Sequence, residues 1–316
     1  MSLPARINGI CALVLVLTAA CAAAIPATQS TRMEVIQGKP YVMVTVNERG
    51  PFRFLIDTGT GGEAMVTSEL ADELNLPVVG HAQLTDPSGQ GHQRTNIVQI
   101  HTLSVAGVTF TATKAIVHRL SGEDNACQGL LGFPIFRDYL FTLDYPNQRM
   151  TLAAGALTAD GESSVLPFRM PDGVPIAPLR IGGLRVDAQF DSGGTGLSLP
   201  HHLATRLKFA SDPVAFGSGE SLSTRFQIKA GKLNANVRLG RYTFKQPFVE
   251  IHSAFPLVNF GSCPMEKFAI TFDQVHLLVR LESNQKTLHL AATPTNLRLE
   301  NAPILKPAVP ALVPVG

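Results

Sequence analysis

Two aspartates carry the clearest chemical potential in this chain. Phe54-Leu55-Ile56-Asp57 is followed by Thr58-Gly59-Thr60, and Asp187-Ala188-Gln189-Phe190-Asp191 by Ser192-Gly193-Gly194. Each aspartate ends an apolar run, where a carboxylate is costly unless it is hydrogen-bonded or opens onto a cleft. Gly59 and Gly193 permit a tight turn that turns backbone amides toward the carboxylate. Thr58 and Ser192 supply hydroxyls that can brace the two loops. If the segments pack about a pseudo-two-fold axis, the carboxylates meet and share one proton. The ionised member can then take a proton from water while the protonated member polarises a carbonyl. That pairing suits direct attack of water on an amide, without a covalent intermediate.

The elements around these residues repeat as well. The Asp57 and Asp191 segments are offset by 134 residues. Strand-like runs precede both, at Pro40–Val46 and Pro175–Ile181. Gly107-Val108-Thr109-Phe110 matches Gly240–Phe244, and the apolar runs that follow end at His118 and His252. Gly129-Leu130-Leu131-Gly132 resembles Val258-Asn259-Phe260-Gly261, and Phe141–Asp144 matches Ile270–Asp273. Several matches in one order mark an internal repeat rather than chance. Alternating apolar runs at Tyr41–Val46, Ile97–Val105, Ala115–Val117, Phe226–Ile228 and Val275–Leu281 read as strands. Thr67–Leu76 and Leu199–Leu207 read as one short helix per half, with Ser68 and Pro200 near their starts. Gly217-Ser218-Gly219 reads as a turn.

Asp57-Thr58-Gly59 with Gly129–Gly132, and Asp191-Ser192-Gly193 with Asn259-Phe260-Gly261, resemble the paired motifs of the pepsin-like and retropepsin-like aspartic peptidases, with both lobes in one chain. The resemblance spans about residues 33–290. It implies an all-β, bilobal fold of two pseudo-symmetric lobes, residues 33–153 and 165–290, joined near Ala154–Ser164. It implies Asp57 and Asp191 as catalytic dyad, supported by Thr58, Gly59, Thr60, Ser192 and Gly193. It also implies a substrate-binding flap over Asp86–Arg94, with Ser88, Gly89, Gln90 and Gly91 at its tip. The expected substrate is a peptide or unfolded protein, and the expected state a monomer. Two departures stand out. Thr60 keeps a hydroxyl after the first motif whereas Gly194 has none, and the second Gly-containing element is degenerate at Asn259. They leave open an inactive peptidase fold that binds peptides in the cell envelope.

Other chemistries find little support. The 316 residues carry a net charge of +2 with 16% charged residues, which argues against nucleic-acid binding. No Cys-x-x-Cys or His-Glu-x-x-His pattern suggests a metal, and adjacent His201-His202 do not share a helix face. No Gly-x-Ser-x-Gly elbow suggests a serine nucleophile. Asp144 and Asp273 read as strand-end aspartates. Hence no cofactor is expected.

Residues 1–25 read as a secretory signal, with Arg6, the apolar run Ile10–Leu17 and a small-residue exit. Leu17–Cys21 resembles a bacterial lipobox that would lipidate Cys21; cleavage near Ala22 or Ala24 is the alternative. Either route places the protein in the periplasm or cell envelope of a bacterium, with a lipid anchor as its one membrane contact. Cys127 and Cys263 are then left as a candidate disulfide or as two buried thiols. Pro294, Pro303, Pro307, Pro310 and Pro314 mark residues 291–316 as an extended tail.

Overall fold

The computed structural model describes residues 28–85, 92–118, 127–220, 225–290 and 313–314. Nearly every element is a β-strand, as alternating apolar and polar residues in short runs dictate. Three sheets form. One contains nine strands and holds the Asp57 half; a second contains ten and holds the Asp191 half. The third is six-stranded and draws on both halves.

The two large sheets share an order. In the first, Val78–Thr85, His92–Val105, Val108–Val117, Ala64–Val66, Gly129–Gly132, Arg49–Asp57 and Lys39–Val46 are successive neighbours. In the second, the sequence is Val214–Glu220, Arg225–Lys232, Phe248–His252, Leu197–Pro200, Val258–Gly261, Leu184–Asp191 and Ile176–Ile181. Each sheet curls back on itself. His92–Val105 is long enough to pair again with Lys39–Val46, at Thr45↔Ser104. In the second half a separate strand, Val237–Leu239, takes the corresponding place beside Ile176–Ile181.

The six-stranded sheet lies between the halves. At its centre Leu140–Asp144 runs antiparallel to Ala269–Asp273, with Thr142 opposite Thr271. Their hydroxyls are hydrogen-bonded at 2.9 Å. Phe141 and Phe272, neighbours in this pairing, stack with ring centroids 6.1 Å apart. Phe272 also meets the rings of Phe133, Phe168 and Phe190. One apolar core therefore runs through both halves and reaches Phe190, the residue before Asp191.

Helix is scarce. Ser68–Glu73 is capped by Thr67, whose hydroxyl accepts from the Leu70 N–H at 3.1 Å. Its counterpart is a single turn, His201–Ala204. Each half has a second helical turn beyond the one expected. Phe133–Phe136 and Ser262–Met265 directly follow the glycines that end the threaded strands, and Pro134 or Pro264 sits in each. The single strand expected over Val275–Leu281 is also different. Residues 274–277 form the hairpin turn between Ala269–Asp273 and Leu278–Glu282, with Leu277 at a positive φ of 55°. The Asp273 carboxylate holds that turn by accepting from the His276 N–H. Gly217-Ser218-Gly219 is not a turn but part of strand Val214–Glu220, beside a bulge at residues 215–217. Val313–Pro314 pairs with Ala82–Gln83 at the outer edge of the first sheet.

Candidate active site

The loops bearing Asp57 and Asp191 are each held by a threaded strand. Gly129–Gly132 runs parallel to Arg49–Asp57, placing Gly132 opposite Asp57, and antiparallel to Ala64–Val66. Val258–Gly261 does the same between Leu184–Asp191 and Leu197–Pro200, with Gly261 opposite Asp191. Both threads end on glycine because no side chain fits. A Cβ on Gly132 would lie 1.9 Å from the Gly62 carbonyl oxygen. On Gly261 it would lie 2.5 Å from that of Gly196. This register sets Val258 against the position of Gly129, and Asn259 against that of Leu130.

Four hydrogen bonds lock the loops to each other. The Thr58 hydroxyl donates to the Phe190 carbonyl (2.8 Å) and accepts from the Ser192 N–H (3.0 Å). The Ser192 hydroxyl donates to the Ile56 carbonyl (2.7 Å) and accepts from the Thr58 N–H (3.0 Å). Both side chains are fully buried. Buried, and with its proton given to a backbone carbonyl and not to a general base, neither hydroxyl is arranged as a nucleophile.

The bracing brings the carboxylates to one place. The Gly59 N–H donates to Asp57 Oδ1 at 2.9 Å, and the Gly193 N–H to Asp191 Oδ1 at 3.0 Å. A Cβ on Gly59 would fall 2.5 Å from Asp191 Oδ1, and one on Gly193 2.5 Å from the Asp57 carboxyl carbon. Each glycine thus serves its own aspartate through the amide and makes room for the other through its missing side chain.

The halves differ at the next residue. Thr60 is buried, and its hydroxyl has no hydrogen-bond partner among the described residues. Gly194 offers an amide instead, which donates to Asp191 Oδ1 at 2.9 Å. The Asn259 side-chain amide takes the remaining oxygen, donating to Asp191 Oδ2 at 2.8 Å. A Cβ on Gly194 would stand 2.7 Å from that amide nitrogen, so glycine at 194 and asparagine at 259 belong together. The degenerate residue of the second thread is thus a contact of Asp191.

Two further buried groups escaped the sequence reading. Tyr145 follows the central strand Leu140–Asp144. Burial holds its phenol well above the usual range, with Glu266, Asp191, Cys263 and Asp57 adding to the effect, so it stays neutral. Glu250 lies behind Ser198, whose hydroxyl donates to Oε2 at 3.0 Å. Burial raises the Glu250 carboxyl, and the Ser198 hydrogen bond offsets part of the rise. Both lie beside repeated segments, but neither recurs in the other half, where Gln274 and Ile116 stand at the matching places, so the repeat gave no signal for them.

The tip residues Ser88, Gly89, Gln90 and Gly91 lie outside the described residues, although the arms Val78–Thr85 and His92–Val105 form an antiparallel hairpin. Cys21 also lies outside them. Cys127 and Cys263 are separate thiols and not a disulfide. They sit at opposite ends of equivalent threads in different halves. Cys127 precedes Gly129–Gly132 within an apolar cluster, and Cys263 follows Val258–Gly261. Burial pushes the Cys263 thiol up to about 12. Asp144 and Asp273 hold turns, accepting from Asn147 and His276. No group of three or more metal-ligating side chains converges among the described residues.

Two curled sheets, a threaded strand in each and mutually braced Asp-Thr/Ser-Gly loops define the bilobal aspartic-protease architecture. The family model described as aspartyl protease matches residues 42–135 and 177–262, more than half of the chain and inclusive of both loops and both threads. The chain belongs to that family. No curated protein gives a significant match.

Proposed function

We propose that this protein is an exported aspartic endopeptidase that works as a single-chain monomer without cofactor. Asp57 and Asp191 would share one proton; the ionised carboxylate activates water and the protonated one polarises the scissile carbonyl. The supporting observation is the reciprocal bracing of Thr58 and Ser192, which sets each carboxylate against the opposite glycine. The hairpin arms Val78–Thr85 and His92–Val105 are suited to carry a flap whose closure excludes water. Export, and a lipid on Cys21 as one form of it, rest on the N-terminal sequence alone. The missing hydroxyl at Gly194 favours a second reading, a peptide-binding envelope protein without turnover.

The purified protein is incubated with unfolded proteins from about pH 3 to 7, since the dyad needs one proton shared between two carboxyls. Asp57→Asn and Asp191→Asn run alongside, and products are identified by mass spectrometry. Cleavage by wild type, lost by at least about a thousandfold in both variants, is expected. Binding without cleavage at any pH would move the function to the second reading, and full turnover in either variant would end the dyad assignment.

A further inference from the structure

Side chains two residues apart on a strand share a face, so Leu55 lies on the face of Asp57 and Gln189 on the face of Asp191. Strand register extends each of these into a row across its sheet. In the first half the row is Leu55, Leu130, Met65 and Ile116. These pack with Tyr41, Leu84 and Cys127 into an apolar cluster separate from the main core. In the second half the row is Gln189, Asn259, Ser198 and Glu250. All four residues there are polar. The repeat therefore preserves the backbone and inverts the chemistry.

The polar row is joined to the catalytic centre and is built rather than incidental. Asn259 donates its one amide group to Asp191, as only Nδ2 can toward a carboxylate. That orientation fixes Oδ1 as an acceptor; it is buried and has no partner among the described residues. Behind it, Ser198 and Glu250 are bonded to each other. Gly196 is glycine because a Cβ there would lie 2.5 Å from the Glu250 carboxyl carbon. A buried acceptor left unpaired keeps its desolvation cost, which a donor from a ligand would recover.

We infer that the two walls select different side chains on the two sides of the scissile bond: apolar against the Leu55–Leu130–Met65–Ile116 wall, and hydrogen-bond-donating against Asn259 and its polar row. The substrate class is thus an extended peptide with an apolar residue on one side of the cleavage point and a donor-bearing residue on the other. This rests on the peptidase reading for the placement of the peptide across Asp57 and Asp191.

The test is a cleavage-site profile on a mixture of denatured-proteome peptides, read by mass spectrometry. It compares wild type, Asn259→Leu and the double variant Ser198→Met/Glu250→Ile, which install the residues of the first half. The double variant is needed because Asn259 touches Asp191 and its loss can lower turnover by itself. Wild type is expected to favour donor side chains on one side alone, by roughly tenfold. Asn259→Leu should erase that preference and keep the apolar one, and the double variant, which retains the Asn259 acceptor, should weaken it. Identical preferences on both sides in wild type, a donor preference surviving Asn259→Leu, or one undiminished in the double variant would overturn the inference. If wild type cleaves nothing, the same peptides are passed over immobilised protein. Selective retention of donor-bearing peptides would then sink the peptidase reading while upholding the specificity, and unselective or absent retention would sink the specificity too.

Discussion

Thr58 and Ser192 each make two hydrogen bonds across the molecule, and each leaves a buried amide and carbonyl without a partner if its hydroxyl is removed. Losing a partner from a buried polar group costs about 1–3 kcal/mol. Thr58→Ala and Ser192→Ala should therefore each lower the denaturant midpoint by an amount in that range. The double variant should cost less than the two combined, because each hydroxyl bonds the amide of the other residue. Strict additivity in a double-mutant cycle would show that the four bonds do not act as one unit. The consequence for chemistry also belongs at this scale. Loosening the braces moves the glycine amides that hold Asp57 and Asp191, so turnover should fall further than stability alone accounts for.

The strand Phe248–His252 places two buried titratable groups on one element of the second half. His252 packs against the rings of Phe226 and Phe255, and burial depresses its pKa from 6.5 to about 4. The unfolded chain therefore binds a proton near pH 6.5 that the folded chain refuses until about pH 4. Stability from His252 is complete above 6.5 and is lost as pH falls toward 4, by about 3 kcal/mol. His252→Phe should remove that acid-dependent loss; an acid-dependent loss of the same size in His252→Phe and in wild type would contradict it. Glu250 acts with the opposite sign. Its carboxyl is raised from 4.5, so the folded chain holds a proton that the unfolded chain releases first. Stability consequently declines as pH rises above 4.5, and Glu250→Gln should flatten that decline in urea titrations at successive pH values.

The six-stranded sheet and the aromatic rings beside it make one folding unit of two repeats. Phe272 contacts Phe141 in the same sheet, Phe133 just after Gly132, and Phe190 just before Asp191. Truncating a buried Phe costs about 3–5 kcal/mol. Phe272→Ala should cost that much and should impair turnover as well, because its ring packs on Phe190 beside Asp191 and on Phe133 beside the thread that holds Asp57. A calorimetric trace should show one transition, since neither half has a complete core without the shared sheet. Two resolved transitions in wild type would show that the halves fold independently.

The sequence by itself determined the duplication, the all-β character and the equivalence of Asp57 and Asp191. These follow from local rules: alternating strands, Asp-Thr/Ser-Gly turns, and matches kept in one order at offsets from 134 down to 129 residues. Helix placement was legible to within a few residues because Thr67 caps one helix and Pro200 precedes the other. Only the tertiary structure decided what these residues meet. The missing hydroxyl at Gly194 reads as a defect in the sequence, whereas folding places in that space the amide of Asn259, which lies 68 residues beyond its partner Asp191. The sequence leaves Cys127 and Cys263 as either a disulfide or two thiols, and the structure keeps them as separate thiols, one ahead of its thread and the other beyond the equivalent thread. The contrast between an apolar wall and a polar wall exists only in strand register, where residues from four separate segments become neighbours. Repetition can be read along a chain because it is a property of order. Contact between distant segments is a property of packing, and packing alone set an amide beside a carboxylate here.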